Sequence, residues 1–137
     1  MENIHYIDNK LVDWEVIREL IEGEKQLELS AESREQVLKC RDYLDKKMKQ
    51  GTDSLYGINT GFGSLCNKVI SEADLGLLQK NLVMSHACGV GEVIPEEITR
   101  LMLFLKVQSL SYGNSGVQLA TIQRLIDFYN NNITPVV

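Results

Sequence analysis

No stretch of this sequence stays apolar for long. The longest uninterrupted apolar run is Leu101 to Leu105, far short of the ~20 residues a membrane-spanning helix needs. No basic segment followed by an apolar core stands at the N-terminus, so no secretory signal is expected. Basic residues are in the minority: fourteen Lys and Arg against nineteen Asp and Glu leave a net charge of −5. A nucleic-acid or anionic-membrane partner would select a basic surface, so neither is expected. Histidine is scarce, with only His5 and His86, too far apart in sequence to form a metal cluster by themselves. The three cysteines, Cys40, Cys66 and Cys88, are an odd number without a close pair. That excludes a zinc-ligand spacing and fits a reducing, cytoplasmic compartment. No internal repeat and no low-complexity tract occurs.

What is there reads as one ordinary globular length, 137 residues with 44% hydrophobic and 24% charged. Ile4 to Ile7 and Gln26 to Leu29 are short, alternate in polarity and can pair as strands across the helix between them. Asp13 is placed to cap a helix carrying Trp14, Ile17, Leu20 and Ile21, which Gly23 would end. Ser30 opens a longer helix with Val37, Cys40, Leu44 and Met48 near helical period and a charged opposite face. Ser71-Glu72-Ala73-Asp74 has the form of a capping box, followed by Leu75, Leu78 and Leu82 on one stripe. Gly89-Val90-Gly91 would break that helix.

Pro95-Glu96-Glu97 would restart one, with proline in the first turn and acids at the positive end of the dipole. Leu101 to Leu105 is apolar on every face, which predicts burial all round and more neighbours than this chain supplies. A last helix carries Leu119, Ile122, Leu125, Ile126 and Tyr129 and is expected to fray at Asn130-Asn131-Asn132. The expected fold is mainly α, about five helices, with a small two-stranded element.

The segment Tyr56-Gly57-Ile58-Asn59-Thr60-Gly61-Phe62-Gly63 places three glycines close together. Glycine belongs where φ is positive or where another group approaches the backbone closely, so this is a loop. The glycine spacing matches neither the Walker phosphate loop nor the dinucleotide pattern, and no lysine follows where one is required. Tyr56 has two readings: a packed ring with its hydroxyl bonded to backbone, or a general base or hydrogen-bond donor. A free phenol titrates near about 10, so a tyrosine base needs surroundings that stabilise the phenolate. His86 likewise is either a core histidine bonded to a carbonyl or a substrate contact, since imidazole donates on one edge and accepts on the other. Neither serine nor cysteine lies at a nucleophile signature, so a hydrolase is not indicated.

Three segments in order carry a resemblance: Tyr56 to Gly63, Leu78 to Gly91 (LQKNLVMSHACGVG) and Ser109 to Val117 (SLSYGNSGV). From about Ile4 to Val137 the sequence resembles the N-terminal part of the aromatic amino-acid lyase family, and within it the histidine ammonia-lyases. The Ser85-His86 pair is the discriminating element, because the tyrosine enzymes typically carry His-Leu there and the plant phenylalanine enzymes Phe-Leu. The resemblance implies L-histidine as substrate, with trans-urocanate and ammonia as products. An apolar pair would leave the substrate's ring nitrogens unpaired, at roughly 1–3 kcal/mol each.

The family's electrophile is 4-methylidene-imidazole-5-one, formed autocatalytically from an internal Ala-Ser-Gly. No Ala-Ser-Gly occurs in these 137 residues. The resemblance implies that residues 1–137 are a single partial domain, an active-site lobe ending just before that tripeptide, and that this chain alone is inactive. It implies Tyr56 as the catalytic tyrosine, His86 as the active-site histidine, and Ser85 and Gly63 lining the same region. It also implies a homotetramer for the complete enzyme, self-association of the partial chain, and no metal. Two alternatives stand beside this: a related lyase or aminomutase for another aromatic amino acid, and a lyase-like module that binds or assembles without chemistry.

Overall fold

The computed structural model describes residues 3–22, 25–51 and 54–137. Among these the order is β1 (Ile4–Ile7), α1 (Trp14–Glu22), β2 (Gln26–Leu29), α2 (Ala31–Gln50), α3 (Leu75–His86), α4 (Glu96–Ser111) and α5 (Leu119–Asn130). Two short 3-10 turns, Gly63–Leu65 and Glu72–Asp74, precede α3. The fold is mainly α with a two-stranded sheet, as the sequence pattern predicts. Two compact units divide the chain: Met1–Lys46 with Glu92–Val137, and Lys47–Gly91.

In the first unit β1 and β2 run parallel, from Ile4 opposite Gln26 to Ile7 opposite Leu29. Parallel neighbours need a crossover rather than a tight turn, and α1 supplies it. Asp13 caps α1 as expected: its Oδ1 accepts from the Glu15 and Val16 amides at 3.0 and 2.9 Å. The predicted stop at Gly23 lies outside the described residues. Ser30 caps α2 by accepting from the Ser33 amide at 3.2 Å. Val37 is buried, and Cys40, Leu44 and Met48 are half-buried, so the predicted stripe holds.

The core gathers Ile7 and Leu27 from the sheet, Leu20 from α1, Phe104 and Val107 from α4, and Ile122 and Ile126 from α5. Burying each such side chain fully stabilises by roughly 1.5–3 kcal/mol. The expectation that α4 is buried all round is corrected. Leu103, Phe104 and Val107 are buried, but Ile98, Met102 and Leu105 are 44, 45 and 43% exposed. Those three fall at i, i+4 and i+7, one stripe of the helix. Apolar composition sets what a helix can bury, not how many neighbours it has; here α4 packs on α1, α5 and β1.

The buried polar groups of α4 are satisfied internally. Gln108 Nε2 donates to the Asp8 carbonyl at 2.7 Å and Ser111 Oγ to the Gln108 carbonyl at 2.7 Å. Pro95 sits at the N-cap (φ −53°, ψ 140°), one residue ahead of the first turn where the sequence pattern puts it. α5 ends at Asn130, where the asparagine run predicts, but the Asn130 side chain is held. It accepts from the Leu27 amide at 2.7 Å and donates to the Leu27 carbonyl at 2.9 Å. Among the described residues no helix is long and apolar enough to cross a membrane, and no three His, Cys, Asp or Glu side chains form a metal-binding group.

In the second unit α3 carries Leu75, Leu78 and Leu82 half-buried on one stripe while its remaining residues are exposed. The capping box is realised differently from its sequence form. Ser71 Oγ donates to the Asp74 carboxylate at 2.6 Å, and no side chain caps the backbone there. The 3-10 turn Glu72–Asp74 intervenes, so the α-helix proper begins at Leu75. It ends at His86, ahead of the expected glycine break, because Ala87 leaves helical geometry at ψ 70°.

Candidate active site

The loop that presents Tyr56 is built by the two polar side chains of its own motif. Ile58 and Asn59 donate their amides to the Leu55 carbonyl at 3.0 and 3.1 Å. Asn59 Oδ1 accepts from the Leu55 amide at 2.7 Å, so both sides of the turn are tied. Thr60 is fully buried; its hydroxyl accepts from the Gly57 amide at 3.3 Å and donates to the Gly61 carbonyl at 3.1 Å. An antiparallel bridge between Thr60 and Val69, with the Ile70 amide donating to the Asn59 carbonyl at 2.8 Å, closes the base.

Glycine is required at position 57 on two counts. Its φ is +70°, and a Cβ there would lie 2.7 Å from Cε1 of Phe62. Gly63 has φ +55° with no heavy atom within 4 Å of a would-be Cβ, so its need is conformational. It opens the turn Gly63–Leu65, closed by the Cys66 amide donating to the Gly63 carbonyl at 3.1 Å.

The result is a row of three rings. Tyr56 meets Phe62 edge-to-face, with centroids 5.6 Å apart and planes at 60°. Phe62 meets His86 at 6.2 Å and 85°. Tyr56 is 64% and Phe62 42% exposed, and His86 is exposed as well. Neither site residue is a packed core side chain.

His86 is the last residue of α3, and its Nδ1 lies 2.8 Å from the Leu82 carbonyl. A carbonyl can only accept, so the neutral ring carries its proton on Nδ1 and turns the Nε2 lone pair outward. Ser85 Oγ donates to the same carbonyl at 3.0 Å and stands 3.0 Å from His86 Nδ1. His86 is therefore bonded to a carbonyl while remaining at the surface.

Of the four residues singled out from sequence, Tyr56 and His86 are brought together through Phe62. Ser85 supports the His86 ring, and Gly63 adjoins Phe62 in the chain. Phe62, which the sequence pattern did not single out, is the ring that touches both Tyr56 and His86. Its signal was an aromatic held between Gly61 and Gly63, where a loop has no core to fill. The other histidine serves packing: His5 stands edge-on to Phe104 at 5.8 Å. Burial, aided by the Lys25 charge, holds its imidazole below the usual histidine range. The side chains this loop and helix supply are hydrogen-bonding and acid–base groups. Such groups fit the face of a site turned toward an electrophile and are not themselves one.

The sequence profile of the family described as "Aromatic amino acid lyase" matches residues 12–137, and the chain belongs to that family. It is 38% identical over 131 residues to the histidine ammonia-lyase of Caldanaerobacter subterraneus subsp. tengcongensis, covering 96% of this chain and 26% of that one. Against the histidine ammonia-lyase of Deinococcus radiodurans it is 42% identical over 113 residues, 82% of this chain and 21% of the other.

Among solved structures it superposes on the ergothionase of Treponema denticola with a TM-score of 0.90 at 26% identity, over 97% of this chain and 27% of that one. The histidine ammonia-lyase of Trypanosoma cruzi gives 0.80 at 34% identity, over 93% and 25%. Tyrosine aminomutase from Streptomyces globisporus gives 0.88 at 28%, over 96% and 25%. The chain thus spans 21–26% of the length of these curated relatives.

Proposed function

We propose that residues 1–137 are the N-terminal active-site lobe of a histidine ammonia-lyase, a longer enzyme converting L-histidine to trans-urocanate and ammonia. The observation that carries the reading is the Ser85-His86 pair at the end of α3, joined to Tyr56 through Phe62. His86 offers an acceptor at Nε2, matching a substrate ring that carries an N–H donor. An apolar pair at these positions could not discriminate in this way. Identity near 40% to histidine ammonia-lyases supports the same choice.

Within that reading Tyr56, as its phenolate, takes the substrate's β-proton and becomes the neutral phenol, and its exposed position at the loop edge leaves that oxygen free to reach a ligand. His86 orients the substrate ring, Ser85 fixes the His86 ring through the Leu82 carbonyl, and Gly63 sets the loop's course without a side chain. The prosthetic group 4-methylidene-imidazole-5-one supplies the electrophile that activates the amine for departure when it is present. Tyr56 and His86 would face it. The complete enzyme is a cytoplasmic homotetramer, and the 137-residue chain alone, lacking Ala-Ser-Gly, does not turn substrate over.

A second reading, a lyase or aminomutase for another aromatic amino acid, is favoured by the close superposition on tyrosine aminomutase. Turnover of histidine, tyrosine and phenylalanine by the full-length protein separates the two. A lyase-like module without chemistry would give none of the three.

A further inference from the structure

Phe62 is in an unusual position for a large apolar side chain. It is 42% exposed, so the burial it gains is modest. It nonetheless touches the rings of both Tyr56 and His86, edge-to-face in each case, at 5.6 and 6.2 Å. Edge-to-face pairs are directional and stabilise beyond the area they bury. Two such pairs on one ring fix the phenol and the imidazole with respect to a common reference.

The backbone around Phe62 is shaped for this ring. Gly57 must lack a side chain because a Cβ would reach to 2.7 Å of Phe62 Cε1. A Cβ on Gly61 would lie 2.6 Å from that of Leu65, so glycine there lets the 3-10 turn approach the backbone just ahead of Phe62. Thr60, fully buried, bonds Gly57 and Gly61 and so ties together the turn that leads into Phe62. The loop invests its most constrained backbone in the placement of a half-exposed ring.

We propose that Phe62 is a positioning residue: it holds Tyr56 and His86 at a fixed separation and relative tilt, so that proton abstraction and ring recognition act on one substrate pose. This rests on the site reading above, in which Tyr56 and His86 are the reacting and recognising groups. Phe62 takes no part in proton transfer. Its effect falls on the chemical step, because misplacing one of two cooperating groups costs rate more than binding.

The test pairs Phe62→Leu, which removes the ring, with Phe62→Tyr, which keeps it. In the 137-residue chain, the ring-proton NMR shifts of His86 and Tyr56 should move in Phe62→Leu and return in Phe62→Tyr. In the full-length lyase, Phe62→Leu should lower kcat for histidine by about 10–100-fold with KM little changed. Phe62→Tyr should restore most of that rate.

Unmoved ring shifts, or an unchanged kcat, in a folded Phe62→Leu protein would overturn the role. So would equal loss in Phe62→Leu and Phe62→Tyr. If Phe62→Leu lowers the melting transition markedly, Phe62→Met carries the test, since it removes the ring while keeping a long apolar side chain and the backbone around it. That variant should then show the same loss of kcat and displaced ring shifts, and unaltered values would count against the proposal. Tyr56→Phe in the same enzyme distinguishes the layers. Full activity of Tyr56→Phe would remove the site reading and the positioning role together. Loss in Tyr56→Phe with none in Phe62→Leu would remove the positioning role alone.

Discussion

The Asn130 side chain grips the backbone of Leu27 from both sides, accepting from its amide at 2.7 Å and donating to its carbonyl at 2.9 Å. This joins the last turn of α5 to β2, residues far apart in sequence. It supplements the sheet hydrogen bonds of a strand that has only one partner among the described residues. Two-stranded sheets are weak alone, so the clasp matters more than an ordinary side-chain contact.

Asn130→Ala is therefore expected to destabilise the chain by about 1–3 kcal/mol, because two backbone groups lose their partner at once. Asn130→Asp keeps the acceptor and loses the donor, and should fall between. Urea denaturation followed by far-UV circular dichroism measures both. A change below 0.5 kcal/mol, roughly the scatter of surface substitutions, would show that the clasp contributes nothing.

His5 makes stability depend on pH. Its imidazole is held below its ordinary value near 6.5 by burial, with the Lys25 charge adding to the effect. The unfolded chain then binds a proton that the folded chain resists, so stability falls as pH drops below about 6.5 and levels once the folded form also protonates. Asp8, held below the usual carboxylate range by its hydrogen bonds and ion pair with Lys10, loses its small contribution only at more acid pH. His5→Gln should flatten the midpoint-against-pH curve just below pH 6.5 and leave the acid limb in place. An unaltered slope in that window would contradict the assignment.

The exposed stripe of α4 gives a prediction opposite to the one its composition suggests. Met102→Glu should change the stability of this chain by no more than about 0.5 kcal/mol, as at other surface positions. Phe104→Ala, on the buried face of the same helix, should cost about 3–5 kcal/mol. Thermal melts of the two variants decide it; equal losses would mean that the stripe is covered in solution.

Gly57→Ala should destabilise the loop by more than 1 kcal/mol, since the position needs φ near +70° and has no room for a Cβ. Amide hydrogen exchange at Ile58, Asn59 and Ile70 reports it locally. Unchanged protection at those amides would show that the loop tolerates a side chain there.

Much of this architecture is legible in the sequence because the signals are local. Asp13 and Ser30 cap the helices they precede, and the period of Val37, Cys40, Leu44 and Met48 names the inward face. One signal failed and one was incomplete, because both depend on what lies outside the segment. Leu101 to Leu105 reads as buried all round, yet burial requires neighbours, and Met102 and Leu105 lack them here. Asn130 reads as a fraying helix end because its partner, Leu27, lies across the whole chain. At the candidate site the motif names Tyr56 and His86, whereas the link between them is visible only in three dimensions. Phe62 carries no polar chemistry to attract attention, and its two ring partners come from separate segments.

The most direct test is turnover of L-histidine, L-tyrosine and L-phenylalanine by the full-length protein carrying this segment, measured for the native sequence, Tyr56→Phe and His86→Leu. Urocanate from histidine alone is the predicted result, with Tyr56→Phe reducing kcat by at least about 100-fold, the lower range for a positioned acid–base group. His86→Leu should weaken selectivity for histidine over the other two amino acids. Preferential turnover of tyrosine or phenylalanine, or full histidine activity in Tyr56→Phe, would contradict the account.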